Sequence, residues 1–260
     1  MIFYFSCTGN TRWAAREVAE ATGDALCDIS TIGAGVYEYR VLEGERIGFC
    51  FPVHAWRPPV VVREFIRRLR IVGASDPFCW VLLTAGDDIG ETVDLLESDM
   101  RSTGLRLHSA YSLLMPESYV GLPFMDVDKA ERERQKKLQA KADLRGYIQG
   151  IVDRREGERH LHLSRWPRTN SRFLGGIFVK WLLSDRPFRV DAHRCIGCGK
   201  CVKSCPVGNI ALTDHGTPEW LHSGRCLTCF ACYHHCAARA IEYGRRTQGK
   251  GQYYFEKDQH

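Results

Sequence analysis

Cysteine spacing is the feature of this sequence that most restricts how the chain can fold. Twelve cysteines occur in 260 residues, and eight of them lie between Cys195 and Cys236 in two runs of the same spacing. The other four are scattered singly over the first third of the chain, at Cys7, Cys27, Cys50 and Cys79. Disulfides give no reason for a repeated spacing, so we interpret the runs as metal ligands and the single cysteines as free thiols.

Each run has the form CxxCxxCxxxC, and Pro206 follows the first. This is the ligand spacing of bacterial ferredoxins, whose fourth cysteine in each run binds the other [4Fe-4S] cluster. Structural zinc is the main alternative, but it usually uses two CxxC pairs. Ala237 replaces the proline after the second run, which predicts an altered loop there and no lost ligand. The predicted ligands are Cys195, Cys198, Cys201 and Cys236 for cluster 1, and Cys226, Cys229, Cys232 and Cys205 for cluster 2.

A second motif, SCTGNT at residues 6–11, lies between an apolar segment and a helical one. It matches the flavodoxin phosphate loop, (S/T)xTGNT. Backbone amides at a helix N-terminus suit a phosphate monoester, and serine and threonine hydroxyls can add hydrogen bonds. The glycine fingerprint of dinucleotide sites and the lysine of NTPase phosphate loops do not occur in this motif. The motif therefore predicts FMN, bound by Ser6, Thr8, Gly9, Asn10 and Thr11.

Residues 1–153 alternate short apolar runs with amphipathic segments, a pattern that predicts a doubly wound α/β domain. We expect a flavodoxin-like parallel sheet of five strands in the order 2-1-3-4-5. The predicted strands are 2–5, 25–29, 46–51, 78–83 and 107–114, and the predicted helices are 11–22, 59–69, 89–103 and 127–152.

The loops after strands three and four should hold the flavin ring, since ligands of such sheets lie beyond the carboxyl ends of the strands. Trp56 either stacks on the ring or packs on the surface, and His54 is a candidate for the ring's reactive edge. These two residues are the weak catalytic candidates. The predicted ring contacts are Pro52, Val53, His54, Ala55, Trp56, Thr84, Ala85, Gly86 and Asp87.

Composition divides the chain into four segments. After the domain of residues 1–153 we expect a basic connection with a short helix (154–189), a small α+β ferredoxin-like domain (190–243) and a frayed polar tail (244–260). We expect no signal peptide and no transmembrane span, hence a cytoplasmic location. The late basic residues are either solvated or form a docking surface for an acidic partner, and no interleaved aromatic pattern suggests nucleic-acid binding.

With both motifs present, the chain resembles prokaryotic fusions of a flavodoxin-like domain with a two-cluster ferredoxin, the EFR-type ferredoxins. The resemblance implies FMN, two [4Fe-4S] clusters and one-electron transfer between them. We therefore expect an intracellular electron-transfer protein that serves a redox protein partner. We also expect slow or absent direct oxidation of NADH, because the one evident phosphate loop is assigned to FMN.

Two other functions remain open. The main alternative is a flavin-dependent reductase whose small substrate lies beneath His54, Trp56 and the loop 116–124, with electrons supplied through the clusters. A deep pocket over the flavin favours this reductase, and a flat, open face favours the electron carrier. A redox sensor is the third class, but the sequence contains no recognisable output domain.

Overall fold

The computed structural model describes residues 1–255, except for the side chains of residues 181 and 182. The first part of the chain forms β1 (Ile2–Tyr4), α1 (Asn10–Thr22), β2 (Leu26–Asp28), β3 (Tyr37–Val41), β4 (Arg46–Pro52), α2 (Val60–Arg68), β5 (Leu69–Gly73), β6 (Phe78–Ala85), α3 (Thr92–Met100), β7 (Ser109–Leu114), α4 (Ala130–Val152) and β8 (Arg159–His160). We call residues 1–160 the sheet domain.

The centre of the sheet domain is a six-stranded sheet in the order β2-β1-β4-β6-β7-β8, and its strand pairs are parallel. Strand β6 is buried along its whole length, as expected for a central strand covered on both faces. Apolar residues of α2 and α3 pack on one face of the sheet, and those of α1 and α4 pack on the other. The predicted α/β class with a parallel sheet is confirmed.

Local sequence explains where several helices begin and end. Helix α1 starts after Gly9 and ends before Gly23, and both glycines have left-handed backbone angles. Helix α2 follows Pro59, whose fixed φ suits the entry to a helix. Its buried residues Val62, Phe65 and Ile66 recur at helical spacing and face the sheet.

The prediction of five strands was wrong, because β8 adds a sixth strand beside β7. Only Arg159 and His160 form it, within a basic stretch that lacks any apolar run. The main chain holds the strand in place, since the Ala110 N–H donates to the Glu158 carbonyl at 2.9 Å. A separate parallel pair, β3 with β5, was also missed.

A connecting helix, most of which has π-helical geometry, follows the sheet domain. It consists of Thr169–Leu174, Gly175–Ile177 (α5) and Phe178–Leu182. The cysteine-rich unit, residues 188–243, then forms β9 (Phe188–Val190), α6 (Lys200–Ser204), β10 (Ile210–Leu212), β11 (Pro218–Trp220), α7 (Ala231–His234) and β12 (Ile241–Tyr243). Strand β9 pairs with β12 and β10 with β11, both antiparallel.

The expectation of a frayed tail from residue 244 was wrong for the part that the structure describes. The segment up to Phe255 returns to the sheet domain, where Tyr253 is buried and the Phe255 ring stacks on Trp13 at 5.0 Å. The Phe255 N–H also donates to the Thr8 carbonyl at 2.8 Å. Residues 256–260 of the predicted tail lie outside the described residues.

Within residues 1–255, no helix has both the length and the apolar character needed to cross a bilayer.

Candidate functional site

A cavity of about 460 Å³ lies at the carboxyl-terminal edge of the sheet. This volume is within the range of about 300–1,000 Å³ that is usual for ligand pockets. The loops after β1, β4, β6 and β7 all reach the cavity, since the carboxyl ends of parallel strands meet at one edge. The remaining walls come from the connecting helix and from residues 227–229 of the cysteine-rich unit.

The phosphate-loop motif forms one end of the cavity. Ser6, Thr8, Asn10 and Thr11 line it, whereas Gly9 makes the turn behind them with a φ of 94°. A Cβ at Gly9 would also lie only 3.0 Å from the Cβ of Phe255. Glycine at this position therefore serves both the left-handed turn and the close approach of the C-terminal segment.

Hydrogen bonds hold the phosphate-loop side chains in place before any ligand binds. The hydroxyls of Thr11 and Thr84 are 2.7 Å apart, which joins the loop to the end of β6. Asn10 donates to the Pro116 carbonyl at 3.4 Å and accepts from the Tyr253 hydroxyl at 2.5 Å. The Asn10 side chain is thus committed to the protein, and the Thr8 hydroxyl and the first amides of α1 are better placed for a phosphate.

The residues after β4 form a tight turn against the cavity. His54 and Arg57 exchange backbone hydrogen bonds of 3.0 and 3.1 Å, and Ala55 and Trp56 between them have φ of 49° and 59°. Left-handed conformations at residues other than glycine are uncommon, and here two in succession close the turn. The Trp56 indole N–H donates to Asp88 at 2.9 Å, so its ring is held at the cavity wall.

His54 lines the same wall as Trp56. Burial lowers the pKa of His54 to about 4, so the ring is neutral near pH 7. A neutral imidazole can donate or accept a hydrogen bond but brings no positive charge to the cavity.

The segment after β7 supplies a half-buried carboxylate. Glu117 lines the cavity, and a Cβ added to Gly86 would lie 2.1 Å from Glu117 Oε2. Gly86 therefore allows the carboxylate to pack directly against the loop that follows β6. All nine residues predicted as ring contacts line this cavity.

The outer side of the cavity is partly covered, by side chains that are themselves partly exposed to solvent. Leu174, Ile177 and Phe178 of the connecting helix line it, and Tyr119 packs edge-to-face on Phe178 with ring centroids 5.5 Å apart. A Cβ at Gly175 would lie 2.4 Å from the Ala55 carbonyl oxygen, so the small residue lets the helix rest on the 54–57 turn.

Four cysteines of the two runs surround a second, smaller cavity: Cys205, Cys226, Cys229 and Cys232. They are the four that the crossed ferredoxin rule assigns to cluster 2. Burial, together with the neighbouring thiols of Cys229, Cys226 and Cys205, raises the pKa of Cys232 well above its ordinary value. Crowded thiols of this kind become thiolates when a metal centre compensates their charge, so the donor set fits an iron–sulfur cluster.

The other cysteine set lies nearer the surface. Burial, followed by the neighbouring thiols of Cys236 and Cys198, raises the pKa of Cys201. Cys198 is exposed, and Ile196 beside it has 73% of its surface exposed. Backbone N–H groups donate to sulfur in both sets, from Ala240 to Cys236 and from Asn209 to Cys205, each at 3.3 Å.

The two cavities meet at the loop between Cys226 and Cys229. Cys229 lines both cavities, and the thiol of Cys7 in the phosphate loop lies beside it. The neighbouring Cys229 thiol, together with burial, keeps the pKa of Cys7 well above its ordinary value. Thr228 also lines the larger cavity, and its buried hydroxyl has no hydrogen-bond partner in the described chain.

Across residues 1–255, no group of three or more His, Cys, Asp or Glu side chains is close enough to hold a single metal ion. This finding concerns mononuclear sites. In a [4Fe-4S] cluster each cysteine binds a different iron, so its ligands stand apart around the cluster.

Comparison with known protein families finds a match for the cysteine-rich unit. The family profile named "4Fe-4S dicluster domain" matches residues 188–237. These residues are therefore similar to a 4Fe-4S dicluster domain. The matched range is a small part of the 260 residues and says nothing of the sheet domain. We use the name dicluster domain for the whole cysteine-rich unit, 188–243.

A search of curated proteins found no significant match. Among solved structures, a candidate flavoprotein from Bacteroides uniformis ATCC 8492 is 18% identical, with a TM-score of 0.31 over 43% of this chain and 88% of that one. A candidate flavoprotein from Bacteroides eggerthii DSM 20697 is 14% identical, with a TM-score of 0.30 over 54% of this chain and 94% of that one. Scores this low carry no structural or functional argument.

Several cavity residues were not predicted from the sequence as cofactor contacts. Glu117 and Tyr119 lie in the loop 116–124, which the sequence placed over the substrate of the alternative reductase but not among the cofactor contacts. They follow the fifth predicted strand at the same sheet edge, so the rule applied to strands three and four could have been extended to them. The connecting helix and Thr228 carry no such local signal, because only the tertiary fold brings them to the cavity.

Proposed function

We propose that this chain is an electron-transfer iron–sulfur flavoprotein, in which the larger cavity binds FMN and the two cysteine sets bind two [4Fe-4S] clusters. Electrons pass between FMN, the clusters and a redox protein partner. The observation that carries the proposal is that the two cavities share a wall. The larger cavity has the phosphate loop at one end, and it is bordered by Cys229, a predicted ligand of cluster 2 that also lines the smaller cavity.

Three features of the cavity support FMN. The phosphate loop opens a 13-residue helix, so amides and the helix dipole favour a phosphate there. The strand-end loops provide an apolar wall with the held Trp56 ring and the neutral His54. The unpartnered hydroxyl of Thr228 is available to a polar edge of the bound ring system.

The positions of the cysteines support one order of electron transfer. Cys229 of cluster 2 borders the FMN cavity, whereas no cysteine of cluster 1 lines it. Cluster 1 is instead bound in part by the exposed Cys198. The order is therefore FMN, cluster 2, cluster 1 and then the partner at the surface. FMN supplies the exchange between two-electron and one-electron chemistry, and the protein supplies its position and electrostatic environment.

Anaerobic purification with quantitation of iron, sulfide and flavin tests the proposal. We expect about eight irons and one FMN per chain, and a stepwise reductive titration followed by visible and paramagnetic resonance spectroscopy should show electrons passing between the centres. Thr8→Asp places a negative charge at the phosphate end and should abolish FMN binding without loss of iron. Thr31→Asp makes the same change on an exposed turn and should keep both cofactors. Full iron without FMN, even after reconstitution, would show that the flavin assignment is wrong.

The partly covered cavity favours a second candidate, the flavin-dependent reductase of a small substrate. A carrier needs only an accessible flavin edge, yet Tyr119 and Phe178 enclose space beside the flavin wall. Phe178→Trp should fill that space. If the protein is a reductase, this variant loses turnover of small acceptors but keeps electron transfer to a protein acceptor at cluster 1. Equal rates for both acceptors in the variant and the wild type would leave the carrier function alone.

A further inference from the structure

Glu117 has two carboxylate oxygens with different surroundings. Oε1 accepts hydrogen bonds from the backbone N–H groups of Ser118 and Tyr119, at 2.9 and 2.8 Å. The Glu117 N–H in turn donates to Asp128 at 2.9 Å. These contacts fix the backbone and one oxygen, so the side chain has a defined direction.

The second oxygen, Oε2, points to the loop after β6. The site of a Cβ on Gly86 is 2.1 Å from it, and both Gly86 and Glu117 line the FMN cavity. Among the described residues, the hydrogen bonds to the Glu117 carboxylate all go to Oε1, and none goes to Oε2. One oxygen is therefore structural, and the other is available to a proton or a ligand in the cavity.

The charged groups around Glu117 leave its charge largely uncompensated. Lys136 is the nearest cation, but its ammonium group already contacts Asp128 at 2.6 Å and the Gly86 carbonyl at 2.8 Å. Asp87, on the adjacent loop, adds negative charge. Burial, the largest effect, raises the pKa of Glu117, and Asp87 acts in the same direction against the opposing backbone hydrogen bonds and Lys136.

The other titratable groups at this cavity are less suited to exchange a proton. Asp88 accepts from the Trp56 indole and from the Gly90 N–H, and Asp87 is exposed to solvent. His54 is neutral. Both ring nitrogens of His234 contact the main chain, since Nε2 is 2.7 Å from the Ser118 carbonyl and Nδ1 accepts from the Tyr253 N–H at 3.2 Å, and His234 does not line the cavity.

We propose that Glu117 is the proton-exchanging group of the FMN cavity, taking up one proton from solvent when the bound flavin is reduced through the clusters and releasing it on reoxidation. This inference rests on the proposed function. Each electron that arrives from a one-electron reductant through the clusters adds one negative charge to the cavity. The Glu117 carboxylate and one proton form a carboxylic acid O–H bond, which restores the charge, and reoxidation breaks that bond again.

The pH dependence follows from linkage. Reduction adds negative charge near Glu117, so the pKa of Glu117 is higher in the reduced protein than in the oxidised one. Between those two pKa values the reduced form holds one more proton on Glu117, and the flavin midpoint potential falls as pH rises. At a pH below both pKa values or above both, Glu117 does not contribute to the change of the flavin midpoint potential with pH.

Spectroelectrochemical titration of the flavin in the holoprotein, over a range of pH, tests the proposal. Glu117→Gln keeps an oxygen for the Ser118 and Tyr119 amides but cannot take up a proton, so it should lose this part of the slope. Glu117→Asp should retain the slope, displaced in pH. Glu131→Gln removes a carboxylate from the exposed face of α4 and should match the wild type. The same pH profile in Glu117→Gln and wild type would overturn the proposal.

Infrared difference spectra of the wild-type holoprotein give a test that needs no variant. Reduction should produce a carboxylic acid carbonyl band that shifts when glutamate is labelled with ¹³C, and the absence of such a band contradicts the proposal. These experiments distinguish failure of the proposed function from failure of the Glu117 proposal. Failure to bind FMN would remove the proposed function, whereas bound FMN with an unaltered proton count would remove only the role of Glu117.

Discussion

The sheet domain and the dicluster domain differ in what fills their interiors. In the sheet domain, large apolar side chains such as Phe49, Trp80 and Phe65 are almost completely buried, on both faces of six strands. In the dicluster domain, the helices have only five and four residues, and its small apolar cluster includes the cysteines Cys201 and Cys232. Short elements with a small core usually need a metal or a disulfide to hold their shape.

The dicluster domain also depends on the sheet domain for part of its packing. Val120, from the segment after β7, belongs to its apolar cluster, and Tyr119 packs edge-to-face on Phe230 at 5.4 Å. Lys250, in the C-terminal segment that follows the dicluster domain, donates to the Val120 carbonyl at 2.9 Å and to two further carbonyls of the segment after β7. We infer that the sheet domain is stable by its own core, whereas the dicluster domain needs its clusters and its neighbour.

The largest expected effect is the loss of cluster 2, which tests this contrast directly. In Cys232→Ser the thiolate ligand is removed, so residues 188–243 should lose iron and become sensitive to protease, while the sheet domain stays resistant. Cys27→Ser changes a half-buried cysteine outside both runs and should keep the full iron content. Limited proteolysis with mass spectrometry and iron quantitation measure both outcomes. A dicluster domain that stays protease-resistant without iron would break the contrast.

The sequence was sufficient wherever the signal is local. The two cysteine runs and the SCTGNT motif each occupy a few consecutive residues, and the alternation of apolar runs and helices predicted the parallel sheet and its helical cover. The cluster ligands and FMN contacts derived from those motifs stay predictions. The structure brings the predicted FMN contacts other than Gly9, and the four cluster 2 cysteines, together around two adjoining cavities, whereas the four cluster 1 cysteines line neither.

The features that the sequence did not predict depend on contacts between distant parts of the chain. Strand β8 has two polar residues and is formed by its pairing with β7, so no apolar run could reveal it. The contact between Cys7 and Cys229 joins residues from opposite halves of the chain. The tail was misjudged because its composition is polar, although Tyr253 and Phe255 supply aromatic anchors that outweigh it.

A smaller effect is expected from overpacking the sheet. A Cβ at Gly48 of β4 would lie 2.2 Å from the Trp80 ring, which is fully buried and cannot move aside. Gly48→Ala should therefore lower the free energy of unfolding of the sheet domain by about 1–3 kcal/mol. Gly146→Ala is the same change on the exposed side of α4, where no atom lies within 4 Å, and it should stabilise by about 0.5–1 kcal/mol.

Urea unfolding followed by far-ultraviolet circular dichroism measures both glycine variants. Gly48→Ala should move the unfolding transition of the sheet domain to a lower urea concentration, while the cluster absorbance is lost at the same urea concentration as in the wild type. That result would sharpen the contrast between the two domains. Coincident loss of both signals in every variant would instead show that the two domains unfold as one unit.

The smallest effect concerns the contact by which the sheet domain reaches cluster 2. The Cys7 thiol adjoins Cys229, where it can act as a hydrogen-bond donor to the ligand sulfur, and such hydrogen bonds tune cluster potentials. Because reduction increases the negative charge on the sulfur, the donor stabilises the reduced cluster more than the oxidised one. Cys7→Ala should therefore lower the potential of cluster 2 and leave cluster 1 unchanged, which serves as the control within the same molecule. Cys7→Ser keeps a hydrogen-bond donor, so its cluster 2 potential should lie between those of the wild type and Cys7→Ala. Redox titration followed by paramagnetic resonance measures these potentials. Equal shifts at both clusters would mean that Cys7 acts through the fold and not through Cys229.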